Sequence, residues 1–282
     1  MKRAGLLGHP LGHTLSPILH EKLSRFMEEP IDYKKFDYSL EELESVIPIL
    51  KELDGFNVTI PHKLNIQKYL DDLADSAKKH GAVNVITKQN GKHIGYNTDC
   101  IGFLRGLETA GIEIAGSVCG VGVGGAGRMF ATECAYRGCQ LTLALRSCHV
   151  QEYRKGTHPD LQELAEKLSR ISGKEVQVVS SETLSGEFDL LINASPVGMY
   201  PHTEAIPVPE SALKGVRAVF DCIYNPRVTQ LMKAAKRAGC CVCGGMPMLV
   251  WQAAAAQEIW YGKNFTNEQV EQVLGEMEEV LW

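Results

Sequence analysis

Gly122-Val123-Gly124-Gly125-Ala126-Gly127 lies between an apolar run, Val118–Val121, and a helical pattern that continues to about Tyr136. A glycine-rich turn joining a strand to a helix leaves few folds open. The first glycine permits the tight turn, the second lets a pyrophosphate approach the backbone, and the third lets helix and strand pack closely. The unpaired N–H groups of the helix start then face phosphate. The pattern predicts a dinucleotide site in a parallel sheet, although Gly120 interrupts the strand before it.

The rest of the chain alternates strands with helices, which implies parallel sheets. A strand at Ala4–Gly8 leads to Ser16-Pro17, read as an N-cap and first helical residue of a helix to about Met27. A strand covers Asp32–Tyr38, and Ser39-Leu40-Glu41-Glu42 reads as a capping box for the next helix. Asp54-Gly55 turns into a strand carrying Phe56, Val58 and Ile60, which Pro61 ends. Helical segments are predicted over Leu64–Leu70 and Asp72–His80, with Gly81 as the stop, and Asn90-Gly91 marks a hairpin between Val83–Thr87 and His93–Tyr96. Asp99 opens a helix to Ala110 that links two domains. Strands follow at Gln140–Leu145, Val176–Val179, Asp189–Asn193 and Val216–Asp221, with helices at Leu161–Ser169, Val228–Arg237, Leu249–Trp260 and Asn267–Leu281. The last stands behind a Thr266…Gln269 capping box.

Composition excludes several classes. The net charge of -5 and the absence of a basic stretch argue against a nucleic-acid grip. No apolar run is long enough to span a bilayer, and the N-terminal apolar stretch is too short for a signal segment. Nine cysteines, odd in number and unevenly spaced, suit a reducing cytoplasm. Cys240-Cys241-Val242-Cys243 has no second ligand cluster with zinc spacing, so it reads as a short buried strand and no metal is expected.

Chemistry concentrates in Asn57-Val58-Thr59-Ile60-Pro61-His62-Lys63 and Asn97-Thr98-Asp99. One delivers a lysine just past a strand end, where open α/β sheets place their chemistry, and the other an acid at a helix start. An ammonium and a carboxylate at element boundaries make a proton-handling pair, and with the dinucleotide loop they read as a dehydrogenase. After the strand that follows the glycine loop, an NAD fold usually carries an acid for the ribose 2′-hydroxyl. Here Leu145-Arg146-Ser147 stands instead. Arg146 can hold a 2′-phosphate and Ser147 can add a hydrogen bond, which favours NADP, with NAD left open.

With these motifs in order, the chain resembles the shikimate dehydrogenase family, which includes the quinate/shikimate dehydrogenases. The resemblance rests on the segment Gly8 to Pro17, the lysine motif, Gly81-Ala82-Val83-Asn84, Asn97-Thr98-Asp99, the glycine loop through Arg128, Asn193 to Met199, Tyr224-Asn225-Pro226 and Gly245 to Ala253. It implies an α/β fold of two domains about a deep cleft. Residues 1–100 and 246–282 would form a substrate domain with a mostly parallel sheet, 101–245 a Rossmann-type domain, and the C-terminal helices would return to the first. It implies reversible reduction of 3-dehydroshikimate to shikimate by NADPH, in aromatic amino-acid (chorismate) biosynthesis, in a cytoplasmic monomer or homodimer.

The resemblance assigns Lys63 and Asp99 to the proton step, and Thr14, Ser16, Asn57, Thr59, Asn84, Tyr224 and Gln252 to the substrate. Thr14, Ser16 and Tyr224 would hold the carboxylate, and the amides and Thr59 the ring hydroxyls. It adds Ser195, Cys222, Gly245 and Asp75 to the glycine loop, Arg146 and Ser147 on the coenzyme side. Departures from the family pattern are Thr14 in place of serine, Cys100 in place of glycine, and Val150 where a second basic residue often stands, with His149, Arg154 and Lys155 close by in sequence to compensate. The alternatives are a quinate/shikimate enzyme that also uses NAD, and, in another class, a non-catalytic ligand sensor. Retention of Lys63, Asp99 and the glycines favours catalysis.

Overall fold

Strands and helices alternate throughout the computed structural model, which describes residues 1–12 and 14–280. The chain divides into two compact units, residues 1–102 with 249–280, and residues 103–248.

The first unit contains β1 (Lys2–Gly8), α1 (Ser16–Ser24), β2 (Ile31–Asp37), α2 (Leu43–Leu50), β3 (Gly55–Val58), β4 (Asp72–Leu73), α3 (Asp75–His80), β5 (Val85–Gln89), β6 (Lys92–Tyr96) and the start of α4 (Asp99–Thr109). Its sheet runs β2-β1-β3-β5-β6-β4. The β1–β2, β1–β3 and β4–β6 ladders are parallel, whereas β5 runs antiparallel to β3 and β6. The reversal comes from the Asn90-Gly91 turn, where both residues take positive φ, 51° and 77°, as a two-residue hairpin with that sequence requires. Alternation along β3 sends Phe56 and Val58 into a core with Leu7, Val46, Leu50 and Ile86. Asn57 therefore faces the other side, where Ala4, Val85 and Trp260 pack.

The second unit holds the rest of α4, then β7 (Ser117–Val121), α5 (Gly125–Tyr136), β8 (Gln140–Leu145), α6 (Ser147–Arg154), α7 (Pro159–Ser172), β9 (Gln177–Ser180), β10 (Phe188–Asn193), β11 (Val216–Asp221), α8 (Gln230–Arg237) and β12 (Cys241–Cys243). The sheet order is β12-β11-β10-β7-β8-β9, all parallel. This doubly wound order reverses direction between β7 and β10. Helix α7 buries Leu161, Leu164, Ala165 and Leu168, the spacing of one helical face. Helix α9 (Gly245–Tyr261) leads back into the first unit, followed by α10 (Asn267–Val280).

Several local expectations change. Ser16 is the first residue of α1 rather than its cap: Leu15 holds the N-cap position without a side-chain cap bond, and the Ser16 N–H donates to Thr14 Oγ1 at 3.2 Å. The helix stops at Ser24 instead of Met27. Residues 64–70 form a 3₁₀ turn over Asn65–Tyr69, and Asp72-Leu73 pairs with β6, so α3 begins only at Asp75. Helix α6 has no counterpart in the sequence reading. The expected helix end at Leu281 lies outside the described residues, as does His13 of the Gly8–Pro17 segment. Among the described residues, no helix is long and apolar enough to cross a membrane.

Glu276 ties α10 to α1. Its carboxylate accepts from Lys22 Nζ at 2.8 Å and from Arg25 Nη2 at 2.7 and 2.8 Å. The Lys22 and Arg25 hydrogen bonds pull its pKa from 4.5 down to about 2. A depressed carboxyl pKa stabilises the fold above the unfolded value and loses that contribution as pH falls through the folded one. Glu276→Gln is expected to cost about 1–2 kcal/mol at neutral pH. The gap to wild type in urea midpoint should close as pH drops from 4.5 towards 2; a gap independent of pH would exclude the ion cluster as its source.

Candidate active site

Pro61 ends the segment after β3, and Lys63 follows it, with its carbonyl accepting from Val83 N at 3.0 Å. Lys63 Nζ meets Asp99 Oδ2 at 2.5 Å, with side-chain exposures of 24% and 15%. Partial burial strengthens such a pair relative to one in open water. Asp99 sits at the first turn of α4, where a carboxylate is favoured by the helix N-terminus.

The pair is held from behind by amides. Asn84 Nδ2 donates to Asp99 Oδ1 at 2.9 Å and to Thr98 Oγ1 at 3.1 Å, while Asn84 Oδ1 accepts from Thr98 N at 2.7 Å. Gln252 Oε1 stands 3.4 Å from Asn84 Nδ2, and Thr98 Oγ1 donates to the Gln252 carbonyl at 3.0 Å. Asn97 Oδ1 accepts from Asp99 N at 3.1 Å. Lys63, Asp99, Asn84 and Gln252, expected together from sequence, are thus one bonded group. Asn57 joins it through Nδ2 to the Asn84 carbonyl at 3.3 Å. Thr59 lies two residues along the same segment, its N–H on Leu7 O at 2.8 Å. Thr14 and Ser16 are adjacent, Oγ1 to Oγ at 3.2 Å. Tyr224 falls in the second unit, half-buried, with burial raising its pKa.

The second unit gathers the coenzyme candidates at the C-terminal edge of its sheet. Gly122 has φ 89°, and a Cβ there would stand 3.2 Å from Ser195 N. A Cβ on Gly127 would lie 2.2 Å from the Gly122 carbonyl oxygen. Gly124 and Gly125 instead border open space, room for a pyrophosphate at the α5 N-terminus beside Val123 and Ala126. The cradle fits a dinucleotide. Ser195 donates its N–H and hydroxyl to Asn193 Oδ1 at 3.1 and 2.7 Å. Asn193 Nδ2 in turn reaches buried Asp221 at 3.0 Å, which also accepts from Thr229 Oγ1 at 2.6 Å and Ile223 N at 3.2 Å. Burial raises the Asp221 pKa against those three bonds. This Asn193–Asp221–Thr229 brace was missed in sequence, where an acid at a strand end gives no sign of burial. Next to it, Gly245 packs so tightly that a Cβ would stand 2.2 Å from the Cys222 carbonyl oxygen, and burial pushes the Cys222 thiol up to about 12.

Arg146 caps α6 and is exposed, its guanidinium 3.4 Å from His149 Nε2. Ser147 is less free than expected: its hydroxyl donates to Glu182, its N–H reaches the same carboxylate at 3.4 Å, and Ser180 Oγ stands 2.8 Å away. Those Ser147 bonds hold the Glu182 pKa down. Asp75 is an exposed first residue of α3, and its neighbour Ser76 accepts the Asn97 N–H at 3.1 Å. Cys240, Cys241 and Cys243 each turn the thiol to a different backbone carbonyl, of Val216, Ala110 and Gly106.

A glycine cradle at the switch point of a doubly wound sheet, with a lysine–carboxylate pair on a second α/β unit, defines a dinucleotide-dependent oxidoreductase. Residues 6–86 match the family model described as shikimate dehydrogenase substrate binding domain. The chain is 40% identical over 267 residues to a shikimate dehydrogenase (NADP(+)) of Methanococcus maripaludis, covering 93% of this chain and 92% of that one. A shikimate dehydrogenase crystallised in complex with NADP+ superposes with a TM-score of 0.85 at 34% identity, over 98% and 96% of the two chains. The Thermus thermophilus enzyme, crystallised with NADP(H) and shikimate, gives 0.81 at 30% identity over 98% and 99%. The chain belongs to the shikimate dehydrogenase family.

Because Glu182 engages Ser147, Arg146 carries the positive charge at the α6 start. Arg146→Ala is expected to raise the KM for NADP by about tenfold or more and that for NAD by less than about threefold. Steady-state kinetics with both coenzymes measure this; equal effects would remove Arg146 from 2′-phosphate recognition.

Proposed function

We propose that this chain catalyses the reversible NADPH-dependent reduction of 3-dehydroshikimate to shikimate. One observation carries the reading: the Lys63 ammonium is held 2.5 Å from Asp99, itself braced by Asn84, within a single unit of a chain belonging to this family. Bound NADPH supplies the hydride. The chain's own residues then handle charge. A carbonyl that takes up a hydride becomes an alkoxide, and the Lys63 ammonium stabilises that charge and hands over a proton. Asp99 fixes the ammonium and accepts from the neighbouring substrate hydroxyl. In the oxidation direction the same groups take the proton back.

Thr14 and Ser16 hold the substrate carboxylate in this reading, and Asn57, Thr59, Asn84 and Gln252 hold ring hydroxyls. The hydroxyl of Ser16 suits this role because α1 does not use it as a cap. Gly122–Gly127 receive the pyrophosphate, with Arg146 at the 2′-phosphate and Ser195, Cys222 and Gly245 at the nicotinamide end.

Shikimate oxidation with NADP, followed at the nicotinamide absorbance band, tests the reading; absence of turnover with retained shikimate binding would support the sensor alternative. Lys63→Ala is expected to lower kcat by about 10²–10⁴-fold while NADPH binding, read by its fluorescence, stays within about twofold. A Lys63→Ala enzyme with wild-type kcat would contradict the proton role.

A further inference from the structure

Beneath the substrate pocket, and resting on the reading of Asn57 as a substrate residue, lies a buried polar chain. Tyr33 sits beside Ala4 on β1, and Asn57 beside Leu6. Ala4 and Leu6 share one face of the strand, so Tyr33 and Asn57 do too. The small Ala4 side chain leaves room for the phenol to cross β1. Tyr33 Oη donates to Asn57 Oδ1 at 2.7 Å. His20, on α1, stacks on the Tyr33 ring at 4.4 Å with planes 15° apart. Gln257 Nε2, on α9, donates to the His20 carbonyl at 2.7 Å and reaches His20 Nδ1 at 3.2 Å.

The amide of Gln257 makes Nδ1 of His20 an acceptor, so the ring proton belongs on Nε2. Burial keeps the ring neutral, its pKa pushed down to about 3, and the ring shares a side-chain hydrogen bond with Asn57. A carboxamide oxygen has two lone pairs and its nitrogen two protons. Tyr33 fills one lone pair of Asn57 Oδ1, and the neutral His20 ring, stacked on Tyr33, borders the same amide. One Nδ2 proton goes to the Asn84 carbonyl. The second is left over. His20 is 1% exposed and Asn57 5%, so water cannot substitute freely for any member.

We propose that Tyr33 and His20 are positioning residues that lock the Asn57 amide in one orientation, so that it meets the substrate only as a hydrogen-bond donor. The group it faces must then accept, as a ring hydroxyl oxygen does. An amide free to turn would present an acceptor for part of the time and bind that oxygen less tightly.

Two measurements test this. Steady-state shikimate oxidation is compared for wild type, Tyr33→Phe, Asn57→Ala and the double variant. Tyr33→Phe is expected to raise the shikimate KM about tenfold, with kcat within about threefold and the NADP KM unchanged. In the Asn57→Ala background the same change is expected to alter KM by less than about twofold. Equal factors in both backgrounds would overturn the proposal, as would no effect in wild type. Independently of turnover, ¹⁵N relaxation of the Asn57 side-chain NH₂ group in ¹⁵N-asparagine-labelled protein, its signals assigned by their loss in Asn57→Ala, reports rotation of the whole amide about Cβ–Cγ. Slow rotation is expected in wild type and clearly faster rotation in Tyr33→Phe or in His20→Phe, which keeps the stacking. Unchanged rotation in a folded variant would overturn the lock. If wild type fails to oxidise shikimate, the substrate reading fails and the rotation measurement still decides the lock.

Discussion

The half-buried ion pair between Lys63 and Asp99 is the interaction on which the site depends. The two residues come from segments 36 positions apart, and each has little reason of its own to be sheltered. What holds them is a set of neutral amides. Asn84 fixes the second carboxylate oxygen of Asp99, Asn97 takes its N–H, and Gln252 reaches in from α9. Neutral groups brace the carboxylate without competing for the ammonium. The arrangement keeps one cation and one anion side by side at the end of strands where the backbone is already fixed.

The coenzyme side follows the same logic with the signs changed. Phosphates need space and free N–H groups, so the loop after β7 is built from residues without side chains at Gly124 and Gly125. At the ends of β10 and β11 a buried carboxylate, Asp221, gathers Asn193, Thr229 and the Ile223 N–H, and Asn193 passes the constraint to Ser195. A buried acid is costly unless its oxygens are satisfied, and these three donors satisfy them.

Much of this was legible in the sequence because the signals are local. The glycine loop, the Asn90-Gly91 turn and the apolar alternation of Phe56 and Val58 each follow from a few neighbouring residues. Other features depend on partners distant in the chain. The pair Asp72-Leu73 is a strand only because β6 lies beside it, and the 64–70 segment tightened to 3₁₀ geometry although its composition suits an α-helix. Helix α6 is short, and its first turn is capped by Glu182 from after β9, which no local capping pattern announces. Ser16 reads as a cap because serine before proline usually is one; in the fold Leu15 holds that position and Ser16 is already the first helical residue. The amide-locking residues left no signal either. A histidine on an apolar helix face and a tyrosine in a strand read as core until α1, α9 and β3 are seen together.

Charge on the Asp99 carboxylate is thus the central element of the site, and a change that removes that charge while keeping the shape tests it most directly. Asp99→Asn preserves size and the capacity to bond Asn84, and it leaves the ammonium of Lys63 without its anion. Measured as kcat/KM for shikimate oxidation at neutral pH, the variant is expected to lose about two orders of magnitude or more, with the fold and NADP affinity intact. An Asp99→Asn protein within about threefold of wild type would show that the Lys63–Asp99 pair is scaffolding and that the proton is handled elsewhere.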